Sequence, residues 1–386
     1  MYIPVTLTEE QKALRSAVRS LFDAHMDEDR RRAAIDSERG YSEDLWQLMA
    51  EMGLHALVVP EEYGGAGGDM NDLRVVFHEA GRVLLTGPFF ASAAMATPLV
   101  IEAATDEARR HLLPALAAGE LVAAPAICEE SGSWNLDDVR LPATVRGGEV
   151  VLEGTKHYVL DALVADVLLV VVRTGDGLAL VSVAADDPRV EIERLETLDL
   201  TRRVAAVRFH GCTGRLLSAP GQDVIEQLRK ALDAAVVALA AEQSGAMEAL
   251  LESALSYTGL RHQFGRPIAT FQVIKHKLAD MTLDVERSLS ASSEAARAFV
   301  DPAQRAVAAS TAKAFASDAF VKAATEHIQV HGGIGFTWEH HAHLYYRRAA
   351  SSREILGSPQ EHRGRIVSLL LDDMPELAET AGVAGV

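Results

Sequence analysis

Cysteine is scarce in this chain, which has only Cys128 and Cys212 among its 386 residues. Two thiols are too few for a disulfide framework or for a cysteine metal cluster. Basic residues are also outnumbered, because 37 lysines and arginines face 55 acidic residues and give a formal net charge of −18. Since nucleic acids and anionic membranes are negatively charged, this balance argues against nonspecific binding to either. A local basic pocket for an anionic ligand remains compatible with it.

Long apolar runs and export signals are missing as well. No stretch approaches 18 uninterrupted apolar residues, so we expect no transmembrane helix. The opening segment MYIPVTLTEEQKALRSAVR lacks the basic-then-apolar pattern of a signal peptide, so we expect a cytoplasmic location. The sequence also lacks G-x-S-x-G, a Walker loop and a G-x-G-x-x-G after a strand. It therefore carries none of the common motifs for a serine nucleophile or for nucleotide binding. With 48% hydrophobic residues, the composition is that of a packed globular protein.

The hydrophobic periodicity changes twice along the chain and predicts three domains. Residues 1–120 carry apolar residues at helical spacing, with Thr8 placed as a helix cap. Residues 121–225 contain short β-branched segments such as EVVLEGTKHYVL, with no helical pattern between them, which indicates an antiparallel sheet or barrel. Residues 226–386 are helical again. Their segment ALDAAVVALAAEQSGAMEALLESAL is apolar nearly all round, as in a helix buried within a bundle.

The segment RHQFGRPIATFQ joins two predicted helices and carries more than a turn requires. Gly265 and Pro267 suit the turn itself. Arg261 could hold a phosphate with two hydrogen bonds, and Phe264 could pack against a flat ring system. The alternative is a solvated arginine at a corner, with Phe264 in the hydrophobic core. Local chemistry leaves both interpretations open.

A second segment, QVHGGIGFTWEHHAHLYYRRA, follows a long Ala-rich helix. Its Gly332–Gly333 pair would let the backbone approach a ligand closely, or would simply end the helix. His340, His341 and His343 lack the i, i+4 spacing of helical metal ligands and have no matching carboxylate pattern, so we expect no metal.

Glu242 is the only acid in the apolar stretch AAVVALAAEQSGAM. A carboxylate in such surroundings is costly unless it is paired or faces a cavity. Glu242 is therefore either a base of raised pKa or a paired contact between helices.

The two segments together resemble the acyl-CoA dehydrogenase family. The similarity extends over nearly the whole chain, because VPEEYGGAGGD and VLEGTKHYVLDALVADVLLVVVRT also resemble family segments. The resemblance implies an α+β fold with an N-terminal helical domain, a central antiparallel β-domain and a C-terminal four-helix bundle. It implies FAD as cofactor, oxidation of an acyl-CoA thioester to the trans-2-enoyl-CoA, and electron-transfer flavoprotein as the electron acceptor.

In this family the flavin is shared between two subunits. The neighbouring chain supplies an arginine and a phenylalanine, then a glutamine and a Gln/Gly-Gly segment, to a flavin that lies on the first chain's β-domain. The resemblance assigns these contributions to six residues, here called the donated set: Arg261, Phe264, Gln272, Gln329, Gly332 and Gly333.

The half that would hold the chain's own flavin departs from the family pattern. Where the family reads TEPGAGSD, this chain reads CEESGSWN, so Cys128 replaces a flavin-bonding threonine. The family's WIT segment corresponds to Tyr158, Val159 and Leu160, so Leu160 replaces a second threonine. A thiol is a weak donor and leucine has no polar group.

The usual catalytic bases are missing too. The family most often places a glutamate in a YEGT-like segment, where this chain reads ILGSP and Gly357 takes the base position. A subset places the base on the buried helix, at the position of Ala235. Glu242 lies seven residues further on, two turns along the same face, and is the remaining candidate base.

Because the donated set is retained while the chain's own flavin half is eroded, we predict a partner in a hetero-oligomer, of α2β2 type, with a second acyl-CoA dehydrogenase-like subunit. This resembles actinobacterial heteromeric enzymes that act on steroid side chains or other bulky CoA esters. Three alternatives remain: a self-sufficient enzyme using Glu242, a non-catalytic scaffold or binding subunit of the same fold, and an acyl-CoA oxidase.

Overall fold

The N-terminal unit is a cluster of helices. The computed structural model describes residues 7–146 and 149–372, and the remaining residues lie outside this description. The first helix begins where the sequence predicts, because the Thr8 side chain accepts a hydrogen bond from the Gln11 amide and the Gln11 side chain accepts one from the Thr8 amide. The helices are α1 (Glu9–His25), α2 (Glu28–Asp36), α3 (Glu43–Glu51), α4 (Met70–Arg82), α5 (Thr97–Ala103), which a π-helical segment (Phe90–Ala96) precedes, and α6 (Asp106–Ala117).

A β-domain follows. Its strands are β1 (Ala123–Ala126), β2 (Ala143–Arg146), β3 (Glu149–Leu160), β4 (Val167–Thr174), β5 (Gly177–Ala184), β6 (Val190–Arg194) and β7 (Val204–Leu216). They form one sheet in the order β1-β4-β5-β7-β3-β2, with β6 paired to β7. The pairs are antiparallel, as predicted, except that β1 runs parallel to β4. The exception arises because β1 enters from α6 and is followed by a long connection rather than by a hairpin.

The C-terminal unit is a helical bundle. Its elements are α7 (Ile225–Leu260), the short strands β8 (His262–Gln263) and β9 (Arg266–Pro267), α8 (Gln272–Arg297), α9 (Pro302–His331), α10 (Ala342–Ser352) and α11 (Pro359–Asp372). Helix α7 packs against α8 and α9 of its own unit and against α4 and α5 of the N-terminal unit. The succession of helices, sheet and helices confirms the predicted fold class.

Helix α7 is the centre of the core. In the part of the chain that the structure describes, it is the one helix long and apolar enough to cross a bilayer, and 89% of its most apolar window is buried inside the protein. Its apolar faces are therefore covered by neighbouring helices. The contact with α4 is especially close, because Gly81 on α4 and Gly245 on α7 present no side chain where the two helices cross.

Candidate functional site

The Arg261 motif forms a tight exposed corner. Helix α7 ends at Leu260, and the Arg261 amide donates to the Tyr257 carbonyl. The Ile268 amide then donates to the Arg261 carbonyl and closes the β8–β9 hairpin. Arg261 is exposed, so its guanidinium is available to an anionic group. Gln272 is also exposed and opens α8.

Phe264 lies at the tip of this hairpin and is 92% exposed. The alternative that places Phe264 in the core is therefore wrong for this chain. Its φ is +52°, a left-handed conformation that is strained for a bulky residue. Phe271 is its ring neighbour, with centroids 6.1 Å apart in an edge arrangement. An exposed aromatic ring held in a strained turn fits a surface that a ligand or another chain covers.

The second motif lies at the same end of the bundle. Helix α9 ends at His331, and Gly332 has φ +63°. The glycine pair therefore both ends the helix and leaves its own backbone exposed. Gln329, Gly332 and Gly333 are all exposed. Tyr257 joins the two motifs, because its hydroxyl donates to the His331 carbonyl over 3.3 Å and its ring stacks on His331 at 4.2 Å. The two motifs that carry the donated set thus meet at this end of the bundle, and all six residues of the set are exposed.

Behind the glycines, four histidine rings pack on one another. The centroid distances are 4.1 Å for His327–His331, 4.8 Å for His331–His340 and 4.6 Å for His340–His341. Burial lowers the pKa of His327 to about 2 and that of His341 to about 4. The stack is therefore neutral near pH 7, and it packs the loop after α9 onto the end of that helix.

A pocket of about 540 Å³ opens beside the second motif. Its walls combine the aromatic side chains of Phe336, Trp338, His343 and Tyr346 with aliphatic and polar ones, among them Gln329 and Arg347. Trp338 stacks on His343 at 4.6 Å, and the Arg347 guanidinium lies 5.7 Å from the Trp338 ring. Aromatic walls with one cation and one amide suit a planar polar ring.

The chain's own flavin half has a different character. Cys128 is 1% exposed and Leu160 is 2% exposed, and both pack in the apolar core. Burial raises the pKa of the Cys128 thiol to about 12, so it is a neutral and weak donor. Tyr158 has φ +55° and its ring lies against Gly132. The exposed guanidinium of Arg261 and ring of Phe264 suit FAD, whereas the cradle has only a weak donor and an apolar side chain at the two positions where the family has threonine.

The two positions usual for a base carry no acid here. Ala235 is fully buried in α7. Aligned letter by letter, YEGT matches Ile355–Ser358, which moves the base position from Gly357 to Leu356. Leu356 is buried and has φ +61°, and Gly357 follows with φ +102°. Either assignment leaves this turn without a proton acceptor on its own side chains.

Lys313 stabilises the end of α10, just before the turn at Ile355–Ser358. Its ammonium donates to the carbonyls of Ser352 and Arg353 at the end of α10, over 3.1 and 2.9 Å. It also donates to the Ser317 hydroxyl. Burial lowers the pKa of Lys313 to about 7. A cation at a helix C-terminus is favourable because the last carbonyls carry partial negative charge.

Glu242 is buried in the middle of α7 and is paired on both sides. Arg348 donates to its Oε1 over 2.7 Å and Arg202 donates to its Oε2 over 2.6 Å. About 27 Å of helix separates Glu242 from the end of α7, at 1.5 Å per residue, so it does not join the donated set. Its role as catalytic base stays a prediction, and both of its oxygens are already engaged.

The sequence did not reveal the partners of Glu242. Arg202 and Arg348 are each no more than 5% exposed. In the sequence each is one of two adjacent arginines, a pattern typical of a solvated basic surface. The one available signal was Glu242 itself, since a buried carboxylate requires a cation nearby. Asp161 was missed as well. It is fully enclosed beside these arginines, and burial raises its pKa to about 7.

Comparison with known proteins agrees with the fold. The sequence profile for "Acyl-CoA dehydrogenase, N-terminal domain" matches residues 8–120, and that for "Acyl-CoA dehydrogenase, C-terminal domain" matches residues 225–371. The acyl-CoA dehydrogenase IpdE2 of Mycobacterium tuberculosis is 36% identical over 94% of this chain and 98% of that protein. FadE34 of the same species is 34% identical over 98% of this chain and 51% of that protein.

Two solved structures are similar across almost the full length. A variant of the Tcur3481-Tcur3483 steroid ACAD has a TM-score of 0.87 and 31% identity, covering 95% of this chain and 99% of that one. The ChsE4-ChsE5 complex from Mycobacterium tuberculosis has a TM-score of 0.87 and 26% identity, covering 95% and 99%. With both profiles matched and full-length relatives above 30% identity, the chain belongs to the acyl-CoA dehydrogenase family.

Proposed function

We propose that this chain is one subunit of a hetero-oligomeric, FAD-dependent acyl-CoA dehydrogenase. In that assembly it contributes the donated set to a flavin held mainly by a second, related subunit. The reaction is α,β-dehydrogenation of an acyl-CoA thioester to the trans-2-enoyl-CoA. The observation that carries the proposal is the contrast within one chain: Phe264 is 92% exposed on the donated surface, whereas Leu160 and Cys128 are buried and apolar.

The donated set has the chemistry that the proposal needs. The Arg261 guanidinium supplies paired donors for a pyrophosphate, and Phe264 supplies a face for a flat ring. Gln329 offers an amide at the edge of the aromatic pocket, and Gly332–Gly333 allow backbone contact. When bound, FAD supplies the acceptor for the hydride that leaves the β-carbon of the acyl group.

The loss of hydrogen-bonding side chains would weaken flavin binding at the chain's own flavin half. A flavin edge rich in hydrogen-bonding atoms would meet Leu160, which can neither donate nor accept. Each unmatched polar group in a dry site costs about 1–3 kcal/mol. A homo-oligomer would suffer this loss at every site, whereas a hetero-oligomer avoids it at the sites that the second subunit builds.

The proposed substrate class is supported by the similar solved structures rather than by the shape of the site. Two similar structures are a steroid ACAD and a two-component complex, which supports a bulky, steroid-type acyl group and a second subunit here. Electron-transfer flavoprotein is the proposed electron acceptor.

The test is the composition of the protein isolated from its own organism through a tag on this chain. We expect a second acyl-CoA dehydrogenase-like polypeptide to co-purify, with about one FAD for each pair of chains. The flavin absorbance should bleach when a steroid-type acyl-CoA is added, which a non-catalytic scaffold would not show. Rapid oxygen uptake would indicate an oxidase instead. One FAD per chain with full turnover in the absence of a second polypeptide would contradict the hetero-oligomer.

A further inference from the structure

The buried charges around Glu242 join all three units of the chain. Glu242 lies on α7 and Arg348 on α10, while Arg202 precedes β7 in the β-domain. Glu242 is 4% exposed, Arg202 is 5% and Arg348 is 1%. Arg348 also donates through Nη2 to the carbonyl of Leu85, just after α4 in the N-terminal unit, over 3.0 Å.

On the β-domain side, Arg348 contacts two further residues of the cluster. Arg348 Nε donates to the Thr201 hydroxyl over 2.8 Å and lies 3.0 Å from Asp199 Oδ2. The Thr201 amide donates in turn to Asp199 Oδ1 over 2.9 Å. The two arginines balance Glu242 and Asp199 in charge, and burial raises the pKa of Asp161, the third carboxyl beside them, which favours its neutral form. The Arg202 guanidinium is stacked 4.7 Å from the Phe90 ring and so closes the cluster on the N-terminal side.

Helix α10 ties this cluster to the donated surface. The loop that follows Gly332 and Gly333 runs directly into α10, which begins at Ala342. The loop packs back onto α9 through the histidine stack. The side chain of Arg348 contacts both Glu242 and the β-domain, and Arg347 adds a second hydrogen bond from α10 to the β-domain. Tyr345 on the same helix also donates to the Arg82 carbonyl, so the pair of Arg348 with Glu242 is one of several contacts that position α10.

We infer that Glu242 is a positioning residue rather than a proton acceptor. Through Arg348 it helps to hold α10, and through α10 it positions the loop that follows Gly332 and Gly333, which face the neighbouring subunit's flavin. The part of this inference that concerns the flavin rests on the function proposed above. Both carboxylate oxygens of Glu242 accept charged hydrogen bonds, so accepting a substrate proton would require breaking one of them.

Helix α7 provides a matched control. Asp233 lies nine residues before Glu242, is 1% exposed, and also pairs with two arginines. Its Oδ1 accepts from Arg365 over 2.6 Å and its Oδ2 from Arg305 over 3.3 Å. Arg365 lies on α11 and Arg305 on α9, so this pair stabilises the bundle without contacting α10 or the β-domain. Asp233→Asn and Glu242→Gln therefore make the same chemical change on the same helix.

The first experiment is backbone hydrogen exchange on this chain, with or without a co-purifying subunit. In Glu242→Gln we expect amides of 332–347 to exchange at least tenfold faster than in the wild type, whereas Asp233→Asn should leave that segment within twofold. Equal effects of the two substitutions on 332–347 would overturn the inference. Thr201→Val is a milder variant for the case that Glu242→Gln does not fold, and we expect it to speed exchange in the same segment about threefold; no change would count against the inference.

The second experiment measures FAD retention by the isolated complex. We expect the Kd for FAD to rise at least tenfold in Glu242→Gln, with turnover recovering at saturating FAD, and to stay within twofold in Asp233→Asn. Full FAD retention with a hundredfold loss of turnover would instead identify Glu242 as the base. A wild-type complex without flavin would overturn the proposed function, while the exchange experiment would still decide whether Glu242 positions α10.

Discussion

Gly81 and Glu242 meet backbone to backbone where α4 crosses α7: a Cβ atom placed on Gly81 would lie 1.9 Å from the Glu242 carbonyl oxygen. Gly245 makes the reciprocal approach, since its Cβ would lie 1.8 Å from the His78 carbonyl oxygen. The two glycines hold these helices closer than any side chain would allow. The backbone of Glu242 thus lies directly against α4, while its carboxylate accepts from Arg202 and Arg348.

Gly81→Ala should separate the two helices. Because the clash involves backbone on both sides, we expect the free energy of unfolding to fall by at least about 1–3 kcal/mol, as for overpacked cores. Urea denaturation followed by circular dichroism measures this. Gly364→Ala on α11 is the control, since a Cβ at that exposed position meets no atom within 4 Å. It should stabilise the chain by about 0.5–1 kcal/mol. Equal stability of the two variants would contradict the close crossing.

Phe264→Ala should separate binding from folding. With 92% of the ring exposed, its loss should change the free energy of unfolding of the isolated chain by no more than about 0.5 kcal/mol. FAD retention and subunit association in the complex should nevertheless weaken, at least tenfold. Val300→Ala, at a residue that is 85% exposed on a different turn, should change neither property. If Phe264→Ala lowers stability but leaves FAD retention intact, the donated surface is wrongly placed.

His55 should make stability depend on pH. Burial lowers its pKa in the folded chain to about 4, against about 6.5 when unfolded, so the unfolded chain binds the proton first. Stability should therefore fall as the pH drops from 6.5 towards 4, by about 1.4 kcal/mol per pH unit from this group. His55→Gln should reduce the slope by one proton in urea titrations at several pH values. His111→Gln, on the surface, controls for the substitution itself; an unchanged slope in His55→Gln would refute the assignment.

Cys128 should resist alkylation in the folded chain. Burial raises its pKa to about 12, whereas an unfolded thiol titrates near 8.5. In a Cys212→Ser background, iodoacetamide at pH 8 should add no mass to the native protein and one adduct in urea. Mass spectrometry of quenched samples reads this directly. Modification of the native protein within minutes would mean that the chain's own flavin half is open to solvent.

Local features were predictable from the sequence. Thr8 and Gln11 form a capping box because the motif is complete within four residues, and β3 covers Glu149–Leu160, the full predicted segment EVVLEGTKHYVL. The position of Phe264 was left open, because exposure depends on what surrounds the hairpin. The parallel β1–β4 pair was not predicted, since Ala123 and Val167 meet only in the folded sheet.

The surroundings of Glu242 could not be predicted for the same physical reason. Arg202 and Arg348 are 40 and 106 residues away along the chain. Hydrophobic periodicity shows that Glu242 is buried, but it contains no information on which distant cation reaches it. The resemblance supplied the donated set, whereas only the three-dimensional packing supplied the ion pairs.

The central position of α7 also determines when its apolar faces become covered during synthesis of the chain. Its apolar surface is covered partly by α4 and α5, which precede it, and partly by α8 and α9, which follow it. A nascent chain that has just released α7 therefore exposes the face of this 36-residue helix that α8 and α9 later cover. Such a chain cannot complete its core domain by domain, and its contacts join distant segments, which slows folding. Because three units are built around one helix, the core closes only when the C-terminal unit has been synthesised.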